Sequence, residues 1–126
     1  MTLSDINSNL TQSAVVAIAA KTSTVTSSAV DLRTYKGGVI VQQLVGVVSG
    51  TTPTLDGKIQ TSADGSTGWT DISGATFTQV TATDSLTKIG FATRDTLGYV
   101  RYVGTIAGTT PSFTMGVALL SAKERV

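Results

Sequence analysis

The sequence contains no cysteine and no histidine. Without cysteine, disulfide bonds and thiolate metal sites are excluded. Without histidine, the chain lacks the commonest general base and metal ligand, and a Ser-His-Asp triad cannot be built. Charged residues make up 13% of the 126 residues, and the net charge is +1. The basic residues form no stripe of the kind that nucleic-acid-binding domains carry. These absences indicate a structural or binding module and not an enzyme.

Carboxylates are few, and they lie beside turns or on polar strand faces. The one glutamate, Glu124, is in the C-terminal tail, so the paired carboxylates of a glycosidase would have to come from scattered aspartates. A calcium ion between Asp64 and Asp71 lacks a loop of regularly spaced ligands. We therefore predict no catalytic residue, no metal site and no cofactor.

The N-terminal region contains no targeting signal that we recognise. Residues 1–13 are rich in Ser, Asn and Thr, and the apolar run at residues 14–20 is too short to span a membrane and follows no basic residue. That run is compatible with a short helix. We divide the chain into an N-terminal arm and lead-in, residues 1–23, and a β-sandwich domain, residues 24–126, and we expect synthesis in a cytoplasm.

From Thr24 onward the pattern is that of β-strands. Thr, Val and Ile are enriched, apolar and polar residues alternate, and glycines interrupt the pattern at short intervals. About eight short strands predict a single-domain β-sandwich or jelly roll with an extended N-terminal arm. The predicted strands are Thr24–Leu32, Val39–Val48, Leu55–Ser62, Trp69–Ile72, Ala75–Thr81, Leu86–Ala92, Tyr99–Ile106 and Phe113–Ser121.

Two of these strands carry informative patterns. Residues 55–61 alternate, with Leu55 and Ile59 predicted to face the core and the polar residues between them to face outward. In the strand at residues 39–45, the residues 39–41 and 44–45 are apolar on both faces. This second strand is therefore predicted to be central and covered on both sides.

The tetrapeptide Gly-Thr-Thr-Pro occurs twice, with an offset of 58 residues. We expect each copy to be a turn between two strands, with Gly50 and Gly108 adopting permissive φ angles and Pro53 and Pro111 fixing the entry into the next strand. The repeat has two alternative explanations. Either the domain consists of two packed sheets related by internal symmetry, or two unrelated hairpins have converged on the same favourable turn.

Residues 62–71 resemble the Asp-box hairpin of sialidase-type propellers and the Ser-x-Asp-Gly-x-x-Trp turn of carbohydrate-binding sandwiches. Asp64 is placed to bond the turn backbone, Gly65 and Gly68 permit positive φ, and Trp69 covers the hairpin base. In those families the motif supports folding, so we interpret it as a structural turn. A glycan contact through Trp69 is the alternative.

Two sets of residues are candidates for protein contacts. Tyr99 and Arg101 lie two residues apart in a strand and share one face, where they form either a protein contact or an ordinary cross-strand pair. The leader at residues 1–13 is too polar to order itself. Laid across a neighbouring subunit it would make contacts, and otherwise it is a frayed end. Its candidate contacts are Leu3, Ile6 and Leu10.

Four segments together resemble small virion proteins of tailed bacteriophages, of the kind found beside the major capsid protein. These segments are an "AVDL-x-x-Y" strand, an apolar strand, a "Q-x-S-x-DG-S" hairpin and a "YVRY" strand. They lie at residues 28–35, 38–41, 58–66 and 99–103. The resemblance covers about residues 24–123. It departs from the pattern at Gly68, an extra glycine before Trp69, which weakens a glycan role for that tryptophan.

The resemblance implies a head decoration, or cement, protein. Such a protein binds the outer capsid lattice and stabilises the head, and its partners are the major capsid protein and copies of itself as trimers or dimers, without direct contact to nucleic acid or membrane. It resides in the virion and is made in the host cytoplasm. The alternatives are a tail-tube, head–tail connector or baseplate component and, from another class, a carbohydrate-binding or receptor-binding module.

Overall fold

A computed structural model describes residues 10–123. Leu3 and Ile6 of the predicted contact set therefore lie outside the described residues, as does Glu124. The described part is almost entirely β-structure, which confirms the all-β class, and its one short 3-10 helix is not long and apolar enough to cross a membrane. The elements are β1 Leu10–Lys21, β2 Val25–Thr26, β3 Val30–Asp31, β4 Tyr35–Ser62, β5 Thr70–Thr76, β6 Ser85–Ala92, the 3-10 helix Thr93–Asp95 and β7 Tyr99–Lys123.

The strands form two antiparallel layers that face each other. The first layer, sheet I, has the order β1, residues 113–123 of β7, residues 35–48 of β4, and β6. In the second layer, sheet II, β2 and β3 pair with residues 99–107 of β7, which pair with residues 54–62 of β4, and β5 follows. β4 and β7 pair with each other along most of their length and belong to both layers.

The Gly-Thr-Thr-Pro segments do not form the predicted hairpin turns. Each lies inside a continuous strand, with Pro53 in β4 and Pro111 in β7. The two copies lie opposite each other, with Thr51 paired to Thr109, and the register shifts on both sides of this pair. Because each copy has its hydrogen-bonding partner in the other, the chain passes from one layer to the next instead of reversing.

At this crossing the backbone conformations of the two copies match. Gly50 and Gly108 have φ angles of 110° and 123°, and Thr52 and Thr110 have φ angles of 48° and 46°. A Cβ atom on Gly50 would lie 2.7 Å from the carbonyl oxygen of Thr110, and one on Gly108 would lie 2.8 Å from that of Thr52. The requirement for glycine is therefore the same in both strands.

The symmetry extends beyond the crossing. The arrangement of β1 to β4 is repeated by β5 to β7. Val30 of β3 corresponds to Ile89 of β6, and Val41 corresponds to Val100, each 59 positions later. Val30 pairs with Val100, and Ile89 pairs with Val41 in the same way. The offset is 58 at the crossing and 59 here because β4 contains one extra residue, a β-bulge before Val48. Of the two readings of the repeat, the structure supports internal symmetry.

The apolar run at residues 14–20 is a strand and not a helix. It belongs to β1, which pairs with β7 from Leu10, opposite Ala122, to Lys21, opposite Phe113. Val16 is buried in the core, which gives this β-branched segment a packed strand position. The predicted lead-in at residues 1–23 thus contains an edge strand of sheet I.

The predicted alternation in residues 55–61 is confirmed, because Leu55 and Ile59 are buried and Asp56 is exposed. The strand at residues 39–45 is central in sheet I, as predicted, but it is covered on one face only. Ile40 and Leu44 are 38% and 45% exposed. Within the described residues, sheet II packs against one face of sheet I, so the other face of this strand is exposed to solvent.

A buried polar contact joins the two layers. The hydroxyl of Tyr102 in sheet II donates a 2.5 Å hydrogen bond to Oε1 of Gln43 in sheet I, and both side chains are fully buried. Gly57 and Gly104 leave the space for this pair, since a Cβ on either would lie within 2.8 Å of the Tyr102 hydroxyl. Burial raises the pKa of Tyr102, so the neutral, donating form is favoured.

The crossing generates a prediction about glycine. Replacing Gly50 or Gly108 by valine should lower the free energy of unfolding by about 1–3 kcal/mol, because a side chain there is strained at positive φ and meets backbone atoms. Denaturant unfolding measures the change. Gly38→Val is the matched control, since Gly38 is in β4 with open space around its Cβ position. Equal effects at all three positions would contradict the account of the crossing.

The contact between Tyr102 and Gln43 generates a second prediction. Tyr102→Phe should lower the free energy of unfolding by about 1–3 kcal/mol, because the buried carbonyl of Gln43 loses its donor. The raised pKa also means that the stabilisation is present below pH ~10 and lost as the pH rises further. Tyr99→Phe is the control, because Tyr99 makes its contacts through the ring. An unchanged stability in Tyr102→Phe would show that the bond contributes nothing.

Candidate interaction surfaces

The loop after β4 is organised by Asp64. Its carboxylate accepts hydrogen bonds from the backbone N–H groups of Ser66 and Thr67, at 2.9 and 2.8 Å, and from the Thr67 hydroxyl at 2.8 Å. These bonds hold the pKa of Asp64 well below its usual range. The carboxylate therefore serves the loop backbone, as the motif indicates, and has little capacity left for a ligand.

The outer face of sheet II carries a stacked aromatic–arginine pair. The guanidinium carbon of Arg101 lies 4.4 Å from the centroid of the Trp69 ring. The Arg101 Nε donates to Oε1 of Gln60 at 2.9 Å, and the Gln60 amide donates to Asp71 at 2.9 Å. Lys58 lies 3.2 Å from the same carboxylate, and the two donors together lower the pKa of Asp71. One face of the Trp69 ring is thus covered by arginine, which leaves a sugar less aromatic surface to stack on.

A second arginine stacks on Tyr99 at the end of the same face. The guanidinium carbon of Arg33 lies 4.9 Å from the Tyr99 ring centroid, and Arg33 forms a two-point ion pair with Asp31, with distances of 3.0 and 2.9 Å. This hydrogen bonding lowers the pKa of Asp31 to about 2. Tyr99 also packs on the loop at Gly65, where a Cβ would lie 2.9 Å from the ring.

The structure brings together some of the predicted contact residues and separates others. Tyr99 and Arg101 share the outer face of sheet II and are both half-buried. Leu10 begins β1 at the edge of sheet I, so it belongs to the other layer. Arg33 was not predicted, although it lies in the "AVDL-x-x-Y" segment. An aspartate two residues before an arginine is the signal that could have indicated the ion pair.

The outer face of sheet I is apolar. Ile18, Leu44 and Leu86 are 68%, 45% and 66% exposed. With Gly116 between them they line a shallow depression of about 370 Å³. Outward positions of a solvated antiparallel sheet are ordinarily polar, so this face has the character of a contact surface. The sequence signal was the apolar pattern on both faces of residues 39–45.

Residues 10–123 contain no group of three His, Cys, Asp or Glu side chains placed to hold a metal ion. A groove between the edge strands β5 and β6 is lined by Asp71 and Asp95 among other residues, but the pKa of Asp71 is lowered, whereas a general acid needs a raised one.

No model of a known protein family and no curated protein matches the chain. Solved structures of infectious bursal disease virus share its fold. The Gx strain structure has a TM-score of 0.62 at 15% identity over 89% of this chain. The VP2 subviral particle scores 0.54 at 14% identity over 88%, and the Gt strain 0.52 at 15% identity over 90%. The chain spans 31% to 33% of the length of these neighbours. The neighbours are viral capsid proteins, and at this identity the likeness concerns the fold alone.

The ion pair beside Tyr99 generates a prediction about pH. The Asp31 carboxyl should titrate near pH 2 in the folded protein and at a higher pH, closer to the ordinary value of about 3.9, in Arg33→Ala, which keeps only the backbone N–H donor of residue 33; NMR follows both titrations. Because the folded pKa is lowered, any stabilisation from this exposed pair is present above pH ~4 and lost as the pH falls towards 2. Arg94→Ala, an exposed arginine elsewhere, is the control. The same midpoint in all three proteins would show that Arg33 does not hold the carboxylate.

Proposed function

We propose that the chain is a structural protein of a virus particle. The observation that carries the proposal is the likeness of its fold to viral capsid proteins across 89% of its length. Composition supports it as well, since the absence of histidine and cysteine and the scarcity of charge suit a protein whose surfaces meet neighbouring subunits. We propose further that it has no catalytic activity.

Within that class we propose a head decoration protein of a tailed phage. On this proposal it binds the outside of the capsid, alongside copies of itself, and stabilises the head through many modest contacts at symmetry-related sites. The segments at residues 28–35, 58–66 and 99–103 carry the resemblance on which this finer assignment depends. On this proposal the protein is located in the virion and, before assembly, in the host cytoplasm.

The outer face of sheet II is the proposed contact with the capsid. It presents stacked and hydrogen-bonded side chains, with Tyr99, Arg101 and Trp69 held in fixed positions by Arg33 and Gln60. Tyrosine, tryptophan and arginine are the residues enriched at the energetic centres of protein interfaces. Pre-ordered side chains lose less conformational entropy on binding.

The experiment is co-sedimentation of the purified protein with decoration-free phage heads. Arg101→Ala should reduce occupancy at a fixed protein concentration about tenfold or more, as expected for an arginine at the centre of an interface. Arg94→Ala, an exposed arginine in the 3-10 helix, should leave occupancy unchanged, and melting temperatures check that both variants fold. Binding by neither variant nor wild type, or binding to tails or polysaccharide instead, would contradict the decoration proposal.

The leader gives a separate expectation. Deleting residues 2–9, which precede β1, should leave the melting temperature nearly unchanged and lower the occupancy on heads, because the apolar Leu3 and Ile6 would lose their contacts on a neighbouring subunit. Calorimetry and co-sedimentation measure the two quantities. If the shortened protein binds heads as well as the full chain does, the leader takes no part in attachment.

A further inference from the structure

A row of apolar side chains crosses all four strands of sheet I on its outer face. Leu44 of β4 pairs with Leu86 of β6 on one side and with Gly116 of β7 on the other. Ile18 of β1 lies over Gly116, since a Cβ there would be 2.6 Å from its Cγ1 atom. The row therefore consists of three large side chains, and Ile18 covers the position of Gly116. We call it the apolar row.

Two opposite charges flank this row, Lys88 in the edge strand β6 and Asp84 immediately before it. Asp84 and Lys88 lie two residues before and two residues after Leu86, and both are exposed. Asp84 lines the same depression as Leu44 and Leu86. Lys88 pairs with Gln42, an outward-facing residue of β4. The two charges thus lie on opposite sides of the apolar row, Lys88 within β6 and Asp84 at the rim of the depression.

We propose that this face is a twofold interface with a second copy of the chain. The axis lies in the plane of the face, along the apolar row and perpendicular to the strands. Each strand then stacks antiparallel on its own counterpart, and Leu86 and Leu44 meet the same residues of the second copy. Because the two charges lie on opposite sides of the axis, the rotation brings each Lys88 towards the Asp84 of the second copy. The surface is complementary to itself in charge, as an isologous interface requires.

The size of the face suits a weak dimer. Three strands at about 4.8 Å spacing, over about seven residues at roughly 3.4 Å each, together with the first residues of β6, give on the order of 400 Å² per copy. The total of about 800 Å² is that of a weak, reversible contact. Sheets pack about 10 Å apart at angles of up to about 30°, and the length of the Lys88 side chain accommodates the displacement that such an angle causes at the sheet edge.

The dimer also explains the pattern of residues 39–45. That strand is apolar on both faces, and sheet II covers one of them. A second copy would cover the other at Ile40 and Leu44. The inference rests on the proposed function, which names copies of the chain as partners, and deepens it by assigning the surface that they share; co-sedimentation with heads and self-association of the free chain test the two separately.

Sedimentation equilibrium of the full chain over a wide concentration range tests the proposal. The wild type should be a reversible monomer–dimer system. Leu86→Asp should abolish the dimer, because it brings two carboxylates together at the axis. Leu97→Asp is the matched control, because Leu97 is 57% exposed outside this face and should dimerise as the wild type does. Circular dichroism and melting temperatures check the folding of each variant.

A charge pair tests the orientation of the axis. Lys88→Glu should weaken dimerisation about tenfold or more, because it would face the Asp84 of the second copy. Adding Asp84→Asn, which tolerates the positive φ of 64° at this position, should restore most of the affinity. A wild type that stays monomeric at the highest concentration, a trimer, equal behaviour of Leu86→Asp and Leu97→Asp, or no recovery in the double variant would each overturn the proposed interface.

Discussion

The pairing of β4 with β7 through both layers is the constraint on which the rest of the structure depends. Each of these two strands contributes one half to sheet I and the other half to sheet II. The layers are therefore joined by two continuous backbones, which cross at the Gly-Thr-Thr-Pro segments. The edge strands attach to this central pair on either side. The bond from Tyr102 to Gln43 then fixes the layers face to face, where a misplaced layer would leave two buried polar groups without partners.

The same arrangement gives the two outer faces different chemical character. Sheet II presents fixed arginine–aromatic stacks and an amide–carboxylate network, whereas sheet I presents the apolar row. A protein that sits on a lattice among its own copies needs two kinds of contact, one with the lattice and one with a neighbour. The proposed attachment through Arg101 and the proposed dimer through Leu86 assign one contact to each face, and the packing of the two sheets, about 10 Å apart, keeps these faces on opposite sides of the molecule.

Much of the fold could be predicted from the sequence because strand signals are local. The alternation at Leu55 and Ile59 and the class of the fold required only neighbouring residues. The function of Gly50 and Gly108 could not be predicted, because glycine before threonine and proline has the same local signature in a turn and in a crossing, and the difference is the partner 58 residues away. The stacking of Trp69 and Arg101 depends likewise on the meeting of a loop and a strand distant in sequence.

The central claim is that the chain is a component of the outer surface of a phage head. A three-dimensional reconstruction of the whole particle by electron cryomicroscopy tests it most directly. The account predicts density for the two-layered sandwich on the outside of the capsid, with the outer face of sheet II against capsid subunits. Density for the sandwich only within the tail or baseplate, or no density for it in any part of a purified particle, would contradict the account.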